Sequence, residues 1–185
     1  MEVDYRGKLL AAHPSNPKDG DQMSALLIIT HNKGLSLGLR INQIIPNHDL
    51  SAVCQNLGIW YEGSEPIFYG GKSGQNRIHV IHSLEWVGPS TMILNKDIGV
   101  TNDVSVLAAI SDGEGPEYFR ACAGHRIWNH QLLEKQIDPK NYPSDEVHRW
   151  EIANATIDNI FNEYEDDQWR KILEDSAKQQ AAAWF

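Results

Sequence analysis

Two adjacent glycines, Gly70 and Gly71, stand between two runs of strand-forming residues, Pro66-Ile-Phe-Tyr69 and Ile78-His-Val-Ile-His-Ser-Leu-Glu-Trp86. No other stretch restricts the fold as much. A residue without Cβ accepts positive φ and lets a second backbone or a ligand come close. A short connection between strand-like runs predicts a tight hairpin; the same glycines could also receive a ligand at the main chain. Within the second run His79 and Ile81 alternate with Val80 and His82. The strand period therefore sends the two histidines to opposite faces.

Around this stretch the chain reads as short strands interleaved with short helices. Gly7 to Ala12 is an apolar strand stopped by His13-Pro14, because proline cannot continue a ladder. Ser15 to Gln22, with Pro17 and Gly20, is a loop. Ala25 to Thr30 is continuously apolar, as in a strand buried on both faces. Turn chemistry at His31-Asn-Lys-Gly34 leads into a partner strand, Leu37 to Asn42. Asp49 caps a helix carrying Leu50, Val53 and Leu57, with Cys54 near its apolar side. Further strands are expected at Thr91 to Leu94, Ile98 to Val100 and Tyr118 to Ala123, the last ending at Gly124. A helix over Val104 to Ile110 follows the cap candidates Thr101, Asn102 and Asp103. Asn129 can cap another with Leu132, Leu133 and Ile137, and Lys140 to Ser144 is a loop. Trp150 to Ala153 is extended, and Ile157 to Phe161 is a helical turn. Glu165-Asp-Asp167 suits the N-terminus of a last helix, with Trp169, Ile172, Leu173 and Ala177 as its apolar stripe. Ala181 to Phe185 prolongs that helix or frays. With 185 residues and no repeat, a single domain spanning 1–185 is expected.

Charge narrows the partners. The net charge is −9, and Ser144 to Phe185 alone carries ten acidic and four basic side chains. Phosphate backbones are held through Lys and Arg, so direct nucleic-acid binding is disfavoured, although Lys72, Arg77, Arg120 and Arg126 could converge in space. No apolar run approaches membrane-spanning length, and the start lacks the basic and apolar regions of a secretory signal. Cys54 and Cys122 form no CxxC pair. Reduced thiols in a cytoplasmic protein are the expectation.

Catalytic signatures are weak. Ser83, His31 and Asp103 could be combined on paper, but no GxSxG elbow accompanies them. The eight histidines include no HExxH or HxH spacing, and no Walker A or GxGxxG motif occurs. No catalytic residue, metal or cofactor is therefore assigned.

Read together, several segments resemble the AlgH/YqgE family, in order from about Gly7 to about Leu173. These are Gly7-Lys-Leu-Leu-Ala-Ala-His-Pro14, Ile28-Ile-Thr-His31, Leu37-Gly-Leu-Arg-Ile-Asn42 and Phe68-Tyr-Gly-Gly71. Val80-Ile-His82, Asp97-Ile-Gly-Val-Thr101, Ala123-Gly-His-Arg-Ile-Trp128 with Gln131-Leu132, and Phe161-Asn162 with Trp169 complete the set. The departures mark a divergent member. Lys72 replaces the usual proline after the double glycine, and Asp19-Gly-Asp-Gln-Met23 replaces an acidic-x-x-aromatic stretch. His125-Arg-Ile127 and Asn129-His130 replace a small, glycine-rich approach to a helix, and Asn162 replaces an aspartate.

The resemblance implies an α+β fold, with a mixed, largely antiparallel, partly barrel-like sheet flanked by helices. It implies a poorly characterised function, in a family whose members carry the name of transcriptional regulators. The family-matching polar positions are His31, Asn42, Gly70, Gly71, His82, Thr101, Trp128 and Gln131. They either line one ligand pocket or serve as hydrogen-bonded scaffolding. Trp184 and Phe185, ending an acidic helix, could dock a protein partner or a second copy in a homodimer. The leading expectation is a non-enzymatic regulatory or interaction protein. The alternative is a small-ligand-binding protein or enzyme using a pocket around Asn42, Gly70, Gly71 and His82.

Overall fold

The computed structural model describes residues 3–15, 20–129, 131–140 and 149–185. The strands are β1 (Lys8–Ala12), β2 (Ala25–Asn32), β3 (Leu35–Arg40), β4 (Ile44–Asp49), β5 (Pro66–Tyr69), β6 (Ser73–Ser83), β7 (Met92–Ile93), β8 (Ile98–Thr101), β9 (Phe119–Asn129) and β10 (Trp150–Asn154). The helices are α1 (Leu50–Asn56), α2 (Ser105–Ser111), α3 (Leu132–Ile137), α4 (Ile157–Phe161) and α5 (Glu165–Ala182). The strands form one curled sheet in the order β10-β1-β2-β3-β9-β6-β8-β7, with β4 and β5 on a branch from β9. The architecture is the expected α+β type, a largely antiparallel half-barrel flanked by helices.

Strand alternation assigns the two faces. In β1, Leu9 and Ala11 join the main core with Leu27, Leu39, Ile81 and Cys122, which α4 and α5 cover through Ile160, Phe161 and Ile172. Leu10 and Ala12 face the other way, into a cluster with Leu26, Ile28, Trp128, Trp150 and Leu133 of α3. A third cluster sets Val80 and Ala121 against Leu50 and Cys54 of α1 and Val106 and Leu107 of α2. The two-sided burial expected of Ala25 to Thr30 is present, since Ala25 through Ile29 are all buried.

The hairpin expected at Gly70-Gly71 does not form. β5 pairs in parallel with β9 (Ile67 with Ala121, Tyr69 with Ala123), whereas β6 pairs antiparallel with the same residues of β9. The two strands therefore flank β9, and the double glycine carries the chain from one side of it to the other. Nor does β9 stop at Gly124. It continues through that residue, at φ +76°, to Asn129, changing partners from β5 and β6 to β3. Gly124 is a change of direction within a strand, where a glycine reads locally like a terminus.

Smaller differences have similar causes. Asn129 is the last residue of β9, and the cap position of α3 is Gln131, which has φ +61° and makes no side-chain cap bond. The strand β4 was not expected, because Pro46 and Asn47 disguise it. α2 has no side-chain cap of its own, although Asp103 Oδ1 accepts from Ser105 N at 2.8 Å. Asp49 does cap α1, accepting from Ala52 N at 3.1 Å. α5 opens with three acidic residues as expected and prolongs to Ala182. Most of the loop expected over Lys140 to Ser144, residues 16–19 of the first loop, and His130 lie outside the described residues. Among the described residues, no helix is long and apolar enough to cross a membrane.

Candidate functional site

The eight family-matching positions fall into three neighbourhoods. At the seam of the half-barrel, Gly70 and Gly71 lie against the backbone of β9. A Cβ on Gly70 would sit 2.2 Å from Gly124 O, and one on Gly71 2.2 Å from the carbonyl carbon of His125. Gly70 N donates to Ala123 O at 2.8 Å, and Gly70 O accepts from Arg40 N at 2.8 Å. The close approach is thus of backbone to backbone.

Asn42 adjoins this seam and is only 5% exposed. Its Oδ1 accepts from Ala25 N at 3.0 Å, and its Nδ2 donates to Met23 O at 2.8 Å and Glu165 O at 3.0 Å. One amide thereby ties β2, the loop before it and the start of α5 together.

The second neighbourhood lies under α3. His31 Nδ1 is 2.9 Å from Ser36 Oγ, and its Nε2 is 3.6 Å from Glu134 Oε1. Serine, histidine and carboxylate in line suggest an acyl-transfer relay, but Ser36 is only 2% exposed, and a nucleophile so buried is closed to a substrate carbonyl. Trp128 is buried at right angles to Trp150, their ring centres 6.3 Å apart. Both indole N–H groups donate to Gln136 Oε1, at 3.1 and 2.9 Å. Gln131 is exposed at the left-handed turn before α3.

The third neighbourhood is on β6 and β8. His82 is wholly buried, with Nδ1 2.8 Å from Ser83 O and its ring against Trp86. Burial lowers its pKa, which favours the neutral imidazole. Thr101 Oγ1 accepts from Asp103 N at 3.1 Å. His79, on the opposite face as strand period requires, approaches His125 with Nε2 to Nδ1 at 3.4 Å. Burial, then the neighbouring His125 and Arg77, bring its pKa down to about 4. Cys54 and Cys122 are buried free thiols, and burial pushes Cys122 up to about 12. Among the described residues no group of three or more His, Cys, Asp or Glu side chains could hold a metal.

The four cations that could converge do so only in part. Arg77 lines a groove between α1 and α2. Arg120, 4% exposed, donates to Ile41 O, Gln168 Oε1 and Glu163 O and stacks over Phe68 at 4.3 Å. Lys72 and Arg126 do share a cleft of about 450 Å³ beside Gly70 and Gly71, and Arg40 joins them there. Sequence reasoning missed Arg40, which sits inside Leu-Gly-Leu-Arg-Ile-Asn and reads as the outer face of a strand. Arg126 pairs with Asp21 and lies over the Trp128 and Trp150 rings. A second cleft, of about 490 Å³, holds Asn42 and shares Arg40.

At the far end of the molecule Trp184 is 87% exposed and Phe185 fully so. Every residue of the chain after Ser176 is exposed.

Comparison with known proteins agrees with this architecture. A family model described as AlgH-like matches residues 9–181, and the chain belongs to that family. A UPF0301 protein of Methylococcus capsulatus is 28% identical over 173 residues, covering 92% of this chain and 91% of that one. A UPF0301 protein of Gluconobacter oxydans is 27% identical, covering 94% and 91%. The solution structure of the AlgH protein from Pseudomonas aeruginosa superposes with a TM-score of 0.74 at 21% identity, covering 95% of this chain and 92% of that one. Protein DIP2367 from Corynebacterium diphtheriae superposes with a TM-score of 0.71 at 18% identity, covering 94% and 87%.

Proposed function

We propose that this member of the AlgH-like family is a cytoplasmic, non-enzymatic regulatory protein that acts through protein contacts. The observation that carries this reading is the end of α5, where Trp184 and Phe185 project into solvent from an acidic helix. Exposed tryptophan is costly to leave in water and is enriched where partners dock. Elsewhere the family-matching side chains Asn42, His82 and Trp128 are spent on internal hydrogen bonds, which supports a scaffolding role for them. Direct DNA contact runs against the net charge of −9.

The test is to remove Ala181 to Phe185 and compare both proteins, purified from the native host, by native mass spectrometry. A partner or second copy held by the whole chain and lost by the shortened one is the expected result. Identical assemblies with and without the tail would overturn the reading.

A further inference from the structure

We infer that the cleft beside Gly70 and Gly71 is a binding site for a small phosphorylated metabolite, independent of the contacts made by the tail. Among the described residues its wall carries three cations, Arg40, Lys72 and Arg126, and one carboxylate, Asp21. That is a local excess of positive charge in a chain of net −9, and a concave wall concentrates the field it produces. Arg126 is already paired with Asp21, and Arg40 donates from one Nη to Gly20 O at 3.2 Å, which leaves the rest of the Arg40 guanidinium and Lys72 to face a ligand.

A second observation is independent of charge. Ser24 lines the cleft, is 1% exposed, and its Oγ has no hydrogen-bond partner among the described residues. The Nε of Arg40 is buried and likewise has no partner among the described residues. Buried polar atoms are ordinarily satisfied, and two unspent donors at one cleft are the complement of an oxyanion. A guanidinium, an ammonium and a hydroxyl suit the several acceptor oxygens of a phosphoryl group. The remaining space, bounded by Leu26, Tyr69 and Ile127, accepts an apolar or ring-bearing body, and about 450 Å³ is ample for a small metabolite.

The site exists because β9 changes partners. Crossing it at Gly70-Gly71 brings the end of β5 and Lys72 alongside Arg40 of β3 and Arg126 of β9. Lys72 is exposed and lines the cleft, so it presents a cation at the mouth.

Inorganic pyrophosphate is the probe, titrated into the whole chain and followed by amide NMR and calorimetry. Saturable binding is expected, with shifts centred on Gly20, Ser24 and Gly70 to Ser73. Lys72→Gln, at an exposed position that leaves the fold undisturbed, should weaken it at least tenfold. Arg40→Gln should weaken it further, and its amide spectrum establishes that it folds. Absence of saturation by 10 mM, equal affinity in both variants, or shifts confined to other surfaces would each overturn the proposal. So would binding to phosphatidic acid vesicles, or to an oligonucleotide, that pyrophosphate does not displace.

Discussion

Gly71 and Gly124 meet backbone to backbone: a Cβ on Gly124 would lie 2.4 Å from the Gly71 carbonyl oxygen. Gly124 is also at φ +76°, a conformation that an L side chain adopts with strain. The two costs add. Gly124→Ala should destabilise the fold by about 3 kcal/mol or more, since neither backbone can move without breaking ladder bonds. Gly58 is the control, with φ +73° and open space where its Cβ would stand. Gly58→Ala should cost only about 1 kcal/mol. Urea unfolding of both variants measures the difference, and equal midpoints would mean that contact at the seam contributes nothing.

Asn42 satisfies three backbone groups from separate segments while 5% exposed. Asn42→Ala strands all three and should lose about 2–4 kcal/mol. Asn42→Asp keeps the acceptor toward Ala25 but sets a carboxylate against the Met23 and Glu165 carbonyls, so it should fare no better. Hydrogen exchange should quicken first at the start of α5, where the Glu165 carbonyl is released.

Arg120 holds α4 and α5 to the sheet. Its guanidinium reaches Ile41 O at 2.8 Å, Gln168 Oε1 at 2.7 Å and Glu163 O at 3.2 Å, and lies 4.3 Å from the Phe68 ring centre. Arg120→Ala should cost about 3–5 kcal/mol through lost packing and unpaired buried oxygens. Limited proteolysis reports it directly: cleavage within α5 should appear in the variant under conditions that leave the parent chain intact.

His79 makes stability fall on acidification. Its pKa is about 4 in the fold against 6.5 for the free side chain, because burial and then His125 and Arg77 oppose its charging. Above pH 6.5 it is neutral in both states, and its contribution is fully present. Between pH 6.5 and 4 the unfolded chain takes the proton first, so stability drops across that window. His79→Gln should flatten this part of the urea-midpoint profile. An imidazole NMR titration that placed His79 above pH 6 would contradict the account.

Much of the local structure was legible because its causes are local. Asp49 before an apolar helical stripe has the local chemistry of a cap, and the unbroken apolar run from Ala25 to Ile29 best suits a strand covered on both sides. The acidic start of α5 follows from Glu165 to Asp167 alone. The ordered set of motifs also carried the family and its fold. Of the candidate site, the sequence supplied Gly70, Gly71 and Asn42 at the seam, and Lys72 and Arg126 as cations that could meet.

The tertiary structure decided which strands are neighbours. Gly70-Gly71 has the composition of a hairpin turn, yet β5 and β6 each pair with β9, some fifty positions later, and not with each other. Strand composition is nearly the same whichever strand lies alongside, so pairing is settled by the packing of the whole core. The same long-range pairing brings Arg40, Lys72 and Arg126 to one cleft and buries Ser24 beside them, its hydroxyl without a partner among the described residues. It also separates His31, His82 and Asn42 into different neighbourhoods. Periodicity and turn chemistry determined the elements, and the burial of one curled sheet against its helices determined which of their side chains meet.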